Sequence, residues 1–439
     1  MEVANNGVFS GIGGAPAALS GLNAPLERLA FGSCNHQARD QPLCDPQLWI
    51  WMGDAIYGDY KALNELQTYL PPFPVFRDAP PDMLISKYTM QLEHPDYALF
   101  RQRVPIIGVW DDHDYGRNDG DKTYAYRAQS QEIFLDFLAE PIESTRRQQE
   151  GVYAAYTFGA GAQSVKVILL DVRYNKDPYG MINGDFLGDT QWAWLEQELR
   201  SSTAAFNLLV SGVQVLPADR FFGGENWHRF PKQRQRLLDL ILTSNARGVL
   251  LMSGDVHFAE LNQVACNDYK NILTEVTSSG MTHSWDKTSP WQSIMAMLFR
   301  SANAVLPWDY RPHHGAYYGL RNFGEIQFDW HAAPQPIAQI KIRGEDGSVK
   351  LAYNLSSHYL DQDAIEHPSE RCAAIHESNV AITMVRRLFM LGVVGLLLGG
   401  VLGALAATAA LIYLVFKRSF FYMMRQQRTL FDDGYTKFD

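Results

Sequence analysis

The sequence is poor in basic residues and in cysteine. Its 439 residues include 38 Lys and Arg against 48 Asp and Glu, which gives a net charge of −10. Non-specific binding to nucleic acid depends on basic surfaces that displace phosphate counterions, so this balance argues against a nucleic-acid partner. The four cysteines are too few and too scattered for a disulfide framework, and no two form a CxxC pair. Cysteine usage therefore leaves the redox compartment open.

A standard N-terminal export signal is also missing. Residues 1–27 are rich in Gly, Ala, Asn and Ser, and they have no basic segment ahead of an apolar run. We predict that these residues form a flexible lead ahead of the folded part of the chain.

Charge is absent from residues 388–416, which are apolar almost throughout. Because about 20 apolar residues in a helix are enough to cross a bilayer, we predict one transmembrane helix here. Basic pairs flank the run at 386–387 and 417–418. The short tail, 417–439, carries slightly more positive charge than the other flank, which favours a cytosolic tail and an extracytosolic or lumenal folded domain.

Small residues recur along this predicted helix. Gly395, Gly399 and Gly403 are spaced by four residues and would lie on one helix face. Such a face lets two helices approach closely, which favours a homo-oligomer. Glycine is also common in membrane helices without this role, so both interpretations stand.

The remaining chain divides into a globular part and a polar segment. We predict a folded domain over residues 28–355 and a linker or stalk over 356–387, where His, Glu, Asp and Pro368 replace the apolar runs. Asn354-Leu355-Ser356 is a glycosylation acceptor if this part of the chain faces a secretory lumen.

The globular part contains apolar runs that end in acidic, histidine or amide residues. The runs with their polar ends are 29–35, 48–54, 106–113, 165–173, 207–214 and 248–257. Continuous apolar runs are typical of strands buried on both faces, and helical segments between them predict a layered α/β fold. Later runs, 323–328, 337–342 and 349–354, alternate and predict antiparallel strands. Since ligands bind at the carboxyl ends of strands in open α/β sheets, the polar ends predict a shared site.

One such end, Asp111-Asp112-His113, places carboxylates and an imidazole directly after a buried strand. These groups could hold hard cations or contact a reacting phosphate. By itself the stretch could equally be a solvated acidic turn.

Five stretches in this order resemble one known family. They read GSCN at 32–35, WMGDAIYGD at 51–59, VWDDHDYGRND at 109–119, LDVRY at 170–174 and MSGDVHFAEL at 252–261. Together they resemble the alkaline phosphatase D (PhoD-like) family of the calcineurin-like metallophosphoesterase superfamily. TEVTSSGMTH at 274–283 and NFGEI at 322–326 extend the resemblance over residues 28–355. It implies a layered sandwich of two mixed β-sheets flanked by helices.

The resemblance implies two or more metal ions, namely Fe³⁺ and calcium, with other divalent ions as alternatives. One metal would be held by Cys34, Asp54, Tyr57 and His257. The other would be held by Asp54, Asp112 and Asp255, and Asn35 and Gln214 could contact the metal or the phosphate. A thiolate and a phenolate suit iron, and carboxylate oxygens suit calcium.

The resemblance also implies catalytic roles for two residues. His113 would act as a general acid or electrostatic stabiliser at the leaving oxygen, and Arg173 would grip the phosphate. Asp111 and Asp114 could bind metal or could orient His113 without binding it, and we favour the second role. Simpler alternatives exist, because a histidine in an acidic turn can be a salt-bridge partner, an arginine after a strand can anchor a loop, and Cys34 can be a buried small side chain.

The function implied is a membrane-anchored hydrolase of phosphomonoesters or phosphodiesters that uses metal-activated water. A catalytically silent, membrane-anchored binding module on the same fold is an alternative from another class. A third hypothesis keeps the enzyme but makes lipid phosphates the substrates, because the predicted anchor holds it near a bilayer.

Overall fold

The computed structural model describes most of the chain up to residue 418. The longer described ranges are 7–19, 23–36, 45–59, 77–181, 183–220, 224–267, 270–282, 306–358, 367–376 and 381–389, with single residues and short stretches elsewhere. The chain divides into two units, residues 1–379 and 380–439.

The elements of the first unit alternate between strands and helices. The strands are β1 (Arg28–Gly32), β2 (Trp49–Met52), β3 (Ile106–Val109), β4 (Ala154–Phe158), β5 (Val165–Leu170), β6 (Phe206–Ser211), β7 (Val249–Ser253), β8 (Ala259–Cys266), β9 (Asn271–Ser278), β10 (Tyr317–Tyr318), β11 (Asn322–Asp329), β12 (Ile337–Gly344), β13 (Val349–Ser356) and β14 (Cys372–Ala374). The α-helices are α1 (Pro81–Glu93), α2 (Pro95–Arg103), α3 (Asp112–Tyr115), α4 (Arg127–Phe137), α5 (Gly188–Arg200) and α6 (Pro231–Thr243).

These strands form two mixed sheets. The first has the order β13-β12-β11-β1-β2-β3, in which β1, β2 and β3 are parallel and the other pairs are antiparallel. The second has the order β10-β8-β9-β7-β6-β5-β4, and β14 pairs with β8 beside this path. The predicted α/β class with two mixed sheets is confirmed, as are the antiparallel pairs of β11, β12 and β13.

Burial on both faces explains why the strand sequences are continuously apolar. In β5, Val167 and Leu169 point into the core between the two sheets, whereas Ile168 and Leu170 pack in a second core. Helix α5 contributes side chains such as Leu195 to that second core, and α6 adds several more. A strand held between two apolar layers has no wet face, so the alternating pattern of a half-exposed strand is lost.

Both ends of the predicted domain extend further than the sequence indicated. Within the predicted flexible lead, Phe9 is only 1% exposed and belongs to the core, and the Val8 amide donates to Asp136 at 2.9 Å. In the predicted linker, β14 pairs with β8 and the amide of Ser369 donates to Asp239 at 2.8 Å. Apolar burial, strand pairing and hydrogen bonds from backbone amides to carboxylates attach these segments, and composition alone did not indicate such contacts.

A disulfide joins Cys266 at the end of β8 to Cys372 at the start of β14. The two cysteines are separated by 106 residues, so no local spacing indicated their pairing. Cys34 is a buried free thiol. Cys44 lies outside the described residues.

Among the described residues, no helix is long and apolar enough to cross a bilayer. Much of the predicted span 388–416, and residues 419–439 of the tail, lie outside the described part of the chain. The predicted membrane helix therefore stays a prediction.

We expect the disulfide to stabilise the domain, because it closes a long loop in the unfolded chain. Cys372→Ser should lower the free energy of unfolding by about 2–5 kcal/mol in urea titrations. A thiol reductant should weaken the wild-type protein by a similar amount and leave the variant unchanged. Equal stability of the oxidised and reduced wild-type protein would contradict the assignment.

Candidate active site

The site forms where the carboxyl ends of β1, β2, β3 and β7 approach one another. Cys34, Asp54, Asp112 and Asp255 each lie within three residues of the end of one of these strands. Their close approach needs a glycine at position 53, where φ is 102° and an added Cβ would lie 2.4 Å from the Cβ of Asp111.

Four residues of the site have left-handed backbone conformations. The φ angles are 60° at Cys34, 51° at Asp54, 73° at Asp255 and 60° at His257. Non-glycine residues rarely adopt this region unless the surrounding structure holds them there, and such residues are concentrated at functional sites. The backbone is thus shaped to turn these side chains toward one point.

The first group of donors joins sulfur, oxygen and nitrogen atoms. Cys34 Sγ lies 3.4 Å from Asp54 Oδ2, and the Tyr57 hydroxyl lies 3.5 Å from the same oxygen. The Tyr57 hydroxyl is also 2.9 Å from His257 Nε2. Donor atoms of Cys34, Asp54 and His257 all lie within 4.8 Å of one another. The structure therefore brings together the four residues predicted for one metal.

The second group consists of carboxylates around Asp112. Its oxygens lie within 4.8 Å of donors from Asp54 and His113 in one set, and from Asp111 and Asp255 in another. Asp111 was predicted to support His113, with metal binding as the alternative, and its Oδ2 is buried with no hydrogen-bond partner among the described residues. Its position therefore also allows it to bind a cation.

A third set places Asp112 with Asp119 and Glu225, again within 4.8 Å. The amide of Asp119 donates to Asp112 Oδ2 at 2.8 Å. Sequence reasoning missed both residues as donors. Asp119 lies inside a quoted motif and could have been found there, whereas Glu225 lies outside every motif.

His113 is held by a carboxylate that sequence reasoning also missed. Its Nδ1 lies 2.6 Å from Asp59 Oδ1, and Asp59 is fully buried. The other ring nitrogen, Nε2, lies 3.9 Å from Asp112 Oδ1. Burial alone would lower the pKa of His113, but the carboxylates of Asp112 and Asp59 outweigh it and raise that pKa to about 9. Asp59 closes the GDAIYGD motif, which was the available signal.

Asp114 ties neighbouring parts of the site together. Its carboxylate accepts the amides of Ala55 and Ile56 at 3.2 and 3.1 Å, the amide of Asp111 at 3.2 Å and the Tyr88 hydroxyl at 3.2 Å. With its oxygens used in this way, Asp114 fixes the loop after β2 against α3, as expected for a supporting residue.

Arg173 lies among the carboxylates. It is fully buried, its Nε donates to Asp111 Oδ1 at 2.6 Å, and its guanidinium also pairs with Glu225. Lys176, another residue that sequence reasoning missed, lies 3.0 Å from Glu225 Oε1. The predicted contact between Arg173 and phosphate stays a prediction, and the structure adds the loop-anchoring role that was its alternative.

Asn35 and Gln214 occupy different surroundings. The amide nitrogen of Asn35 donates to Ala55 O and Gln91 Oε1, both at 2.9 Å, and its Oδ1 is buried with no partner in the described part of the chain. That oxygen is available to a ligand. The amide nitrogen of Gln214 instead donates to Glu260 at 2.7 Å and to Thr277 at 3.0 Å.

Burial and mutual repulsion control the ionisation of the cluster. Burial, together with neighbouring acids, raises the pKa of Asp54 and of Asp255 well above the usual range. Burial raises the pKa of Asp111 to about 8 despite Arg173, and that of the Cys34 thiol to about 12. At Asp112 burial is outweighed by His113 and Arg173, so its pKa falls to about 2.

The donor set fits metal ions. Asp54 Oδ1, Asp111 Oδ2 and Asn35 Oδ1 are buried acceptors without hydrogen-bond partners among the described residues. Buried acceptors without donors are costly, and a cation satisfies several of them at once. Cys34, Tyr57 and His257 add the softer donors that transition metals prefer.

We expect the metal-free protein to lose stability as pH rises. Asp54, Asp111, Asp255 and His113 have raised pKa values, so the folded state keeps protons that the unfolded state releases. The free energy of unfolding should begin to fall near pH 4 because of the carboxyls. The part of the fall that is due to His113 should run from about pH 6.5 through 9. For His113 alone it should be on the order of 3 kcal/mol, since a tenfold change in proton affinity corresponds to about 1.4 kcal/mol.

Calorimetry of chelator-treated protein at pH 5.5 and pH 9 measures this loss. Added Ca²⁺ should reduce the fall in Tm, and His113→Gln should remove only the imidazole's part of the fall between pH 6.5 and 9, leaving the part due to the carboxyls. A Tm that rises between the two pH values in the absence of metal contradicts the expectation.

Comparisons with known proteins agree with this arrangement. Alkaline phosphatase D of Bacillus subtilis (strain 168) is 25% identical over 284 residues, which cover 54% of this chain and 47% of that protein. The chain thus matches about half the length of this curated relative. A solved structure described as "Structure of PhoD" has a similar fold, with a TM-score of 0.55 and 18% identity over 85% of this chain and 77% of the other.

The PhoD-like phosphatase family model matches residues 17–331, which is well over half of the sequence and includes the strand ends of both sheets that carry the site. The chain therefore belongs to the PhoD-like phosphatase family.

Proposed function

We propose that the protein is a metal-dependent phosphoric ester hydrolase that uses water as the nucleophile. The observation that carries this proposal is that two groups of donor residues lie side by side. Asp54 belongs to both groups and Asp112 is central to the second, and within each set the donor atoms lie within 4.8 Å of one another. Two adjacent cations stabilise the attacking and leaving oxygens of a phosphoryl transfer and activate a bound water. Membership of the PhoD-like phosphatase family supports the same chemistry.

The donor chemistry suggests which metals are used. Cys34, Asp54, Tyr57 and His257 would hold a borderline or trivalent ion such as Fe³⁺. Asp112 and its carboxylate neighbours would hold a hard divalent ion such as calcium. These identities are part of the proposal.

His113 would deliver a proton to the leaving oxygen. Its Nδ1 is engaged by Asp59, which fixes the ring and makes the protonated form favourable. Because Nδ1 is used in this pair, the other ring nitrogen, Nε2, would donate the proton. It lies on the side of Asp112. A protonated imidazole at this position can act as a general acid for an alkoxide or phenoxide leaving group.

Arg173 would act through Asp111. A direct contact with phosphate would draw the guanidinium away from Asp111 and leave that buried carboxylate without its cation, which is strongly unfavourable, whereas Glu225 would keep Lys176. We therefore propose that Arg173 orients Asp111 while neutralising part of the buried charge.

Hydrolysis of p-nitrophenyl phosphate and bis(p-nitrophenyl) phosphate by the purified protein tests the proposal. Asp54→Asn should lower kcat/KM by about 100-fold or more, because Asp54 belongs to both donor groups. Asp136→Asn is the matched control, since Asp136 is buried but binds the amide of Val8 and the side chain of Arg147.

A chelator should abolish activity, and added metal should restore it. Full, chelator-resistant activity of Asp54→Asn would refute the metal mechanism. Tight metal binding without turnover of either ester would favour the silent binding module instead.

Membrane anchoring is a further part of the proposal. The uncharged run 388–416, with basic pairs on both flanks, supports a single-pass helix, and the tail charges favour an extracytosolic or lumenal domain. The Cys266–Cys372 disulfide is typical of oxidising compartments and agrees with that side. Asn354, the acceptor of the glycosylation triplet, is exposed. Gly395, Gly399 and Gly403 would offer a face for self-association.

Fractionation of cells that express the full chain tests the anchor. The chain should stay with membranes after alkaline carbonate extraction, and deletion of residues 388–439 should release active enzyme. Release of the full chain by carbonate would remove the anchor from the proposal while leaving the chemistry intact.

A further inference from the structure

The turn after β9 reaches back to the metal donors. Ser278, Ser279 and Gly280 belong to the TEVTSSGMTH stretch, which was assigned no chemical role from the sequence. The amide of Met281 donates to Ser33 O at 3.1 Å, and the amide of Ser279 donates to Phe258 O at 3.2 Å. This turn therefore joins the segment after β1, which lies in the first sheet, to the segment after β7, which lies in the second.

The hydroxyl of Ser279 touches two of the proposed metal ligands. Its Oγ accepts the amide hydrogen of His257 at 2.7 Å and lies 3.0 Å from Cys34 Sγ. Ser279 is fully buried, so water does not compete for these contacts. Since the oxygen already accepts from His257, its own proton is free to point at the sulfur.

The direction of the bond to sulfur follows from the chemistry of a metal ligand. A cysteine that binds metal does so as the thiolate, which has no proton to donate. The contact must then run from the Ser279 hydroxyl to Cys34 Sγ. The Asp54 carboxylate, 3.4 Å from the sulfur, cannot donate either when it is ionised.

A second hydroxyl near the sulfur is engaged elsewhere. Ser33 Oγ has one proton and two acceptors in reach, Cys34 Sγ at 3.6 Å and Ser278 O at 3.1 Å, and the shorter contact favours the carbonyl. Ser33 and Ser279 are equally buried. Of these two neighbouring hydroxyls, that of Ser279 donates to the sulfur and that of Ser33 donates to a backbone carbonyl.

The Ser279 hydroxyl also contacts two residues whose backbone conformations are unfavourable. Cys34 and His257 both have a φ of 60°, which non-glycine residues adopt only when held. The Ser279 hydroxyl contacts the side chain of Cys34 and the backbone amide of His257. Cys34 follows a strand of the first sheet and His257 follows a strand of the second, so the Ser279 hydroxyl links one residue from each sheet.

We propose that Ser279 is a positioning residue of the metal centre: its hydroxyl fixes Cys34 and His257 relative to each other and tunes the sulfur as a ligand. This inference rests on the proposed metal-dependent function. A hydrogen bond to a ligating sulfur withdraws negative charge from it, so less charge reaches the metal and the reduced form of the metal is favoured.

Ser279→Ala and Ser33→Ala, each loaded with Fe³⁺, test the inference. We expect Ser279→Ala to bind Fe³⁺ 10- to 100-fold more weakly in competition with a chelator. The reduction potential of the bound iron should move to more negative values. Ser33→Ala should keep the wild-type affinity and potential.

A merely structural role would lower Tm without changing the potential, and that result would overturn the inference. Equal changes in both variants would also overturn it, because the sulfur would then not distinguish the two hydroxyls.

A measurement on the wild-type protein covers the case in which Ser279→Ala does not fold. The iron–sulfur stretching band in resonance Raman spectra should shift after complete exchange into D₂O, since the exchangeable proton of the Ser279 hydroxyl is hydrogen-bonded to the sulfur. An unshifted band would overturn the inference. A wild-type protein that neither binds Fe³⁺ nor hydrolyses the esters would instead sink the proposed function, so the two failures are distinguishable.

Discussion

The dominant constraint on this structure is the burial of several negative groups in one small volume. Asp54, Asp111, Asp112 and Asp255 meet at the strand ends, and few of their charges can be left uncompensated there. Arg173 compensates part of this charge within the protein. The raised pKa values of Asp54, Asp111 and Asp255 reflect the repulsion and burial that are not compensated, and a bound cation would relieve them. The cluster is therefore a region where unfavourable electrostatics lower the stability of the fold, as is common at functional sites.

The two sheets share this cluster between them. Residues after β1, β2 and β3 come from the first sheet, whereas Asp255 and His257 follow β7 of the second. Side chains such as Trp51 and Met252 fill the core between the sheets directly behind these strand ends. Close packing resists small displacements. The apolar contacts that hold the two sheets together therefore also set the distance between the site residues of the first sheet and those of the second.

Sequence reasoning singled out the residues of the candidate site that follow an apolar strand. Cys34, Asp54 and Asp255 could be predicted because each stops a buried run, and the antiparallel strands could be predicted from alternation. Glu225 and Lys176 could not, since they lie on loops whose sequence carries no period and no motif. Partners in space were equally hidden. The sequence contains Asp59 and His113, but 54 residues separate them and only the fold brings them together. The disulfide and the attachment of residues 7–19 were missed for the same reason.

The disulfide between β8 and β14 has a consequence for how a damaged molecule would behave. The segment between its two cysteines includes β9, β11, β12 and β13 as well as Ser279, and thus much of the first sheet and one side of the site. A protease that cut the backbone once inside this segment would leave two pieces joined through sulfur. Such a nicked chain would migrate as one species on a non-reducing gel and could keep its catalytic geometry, so an intact band would not prove an intact backbone.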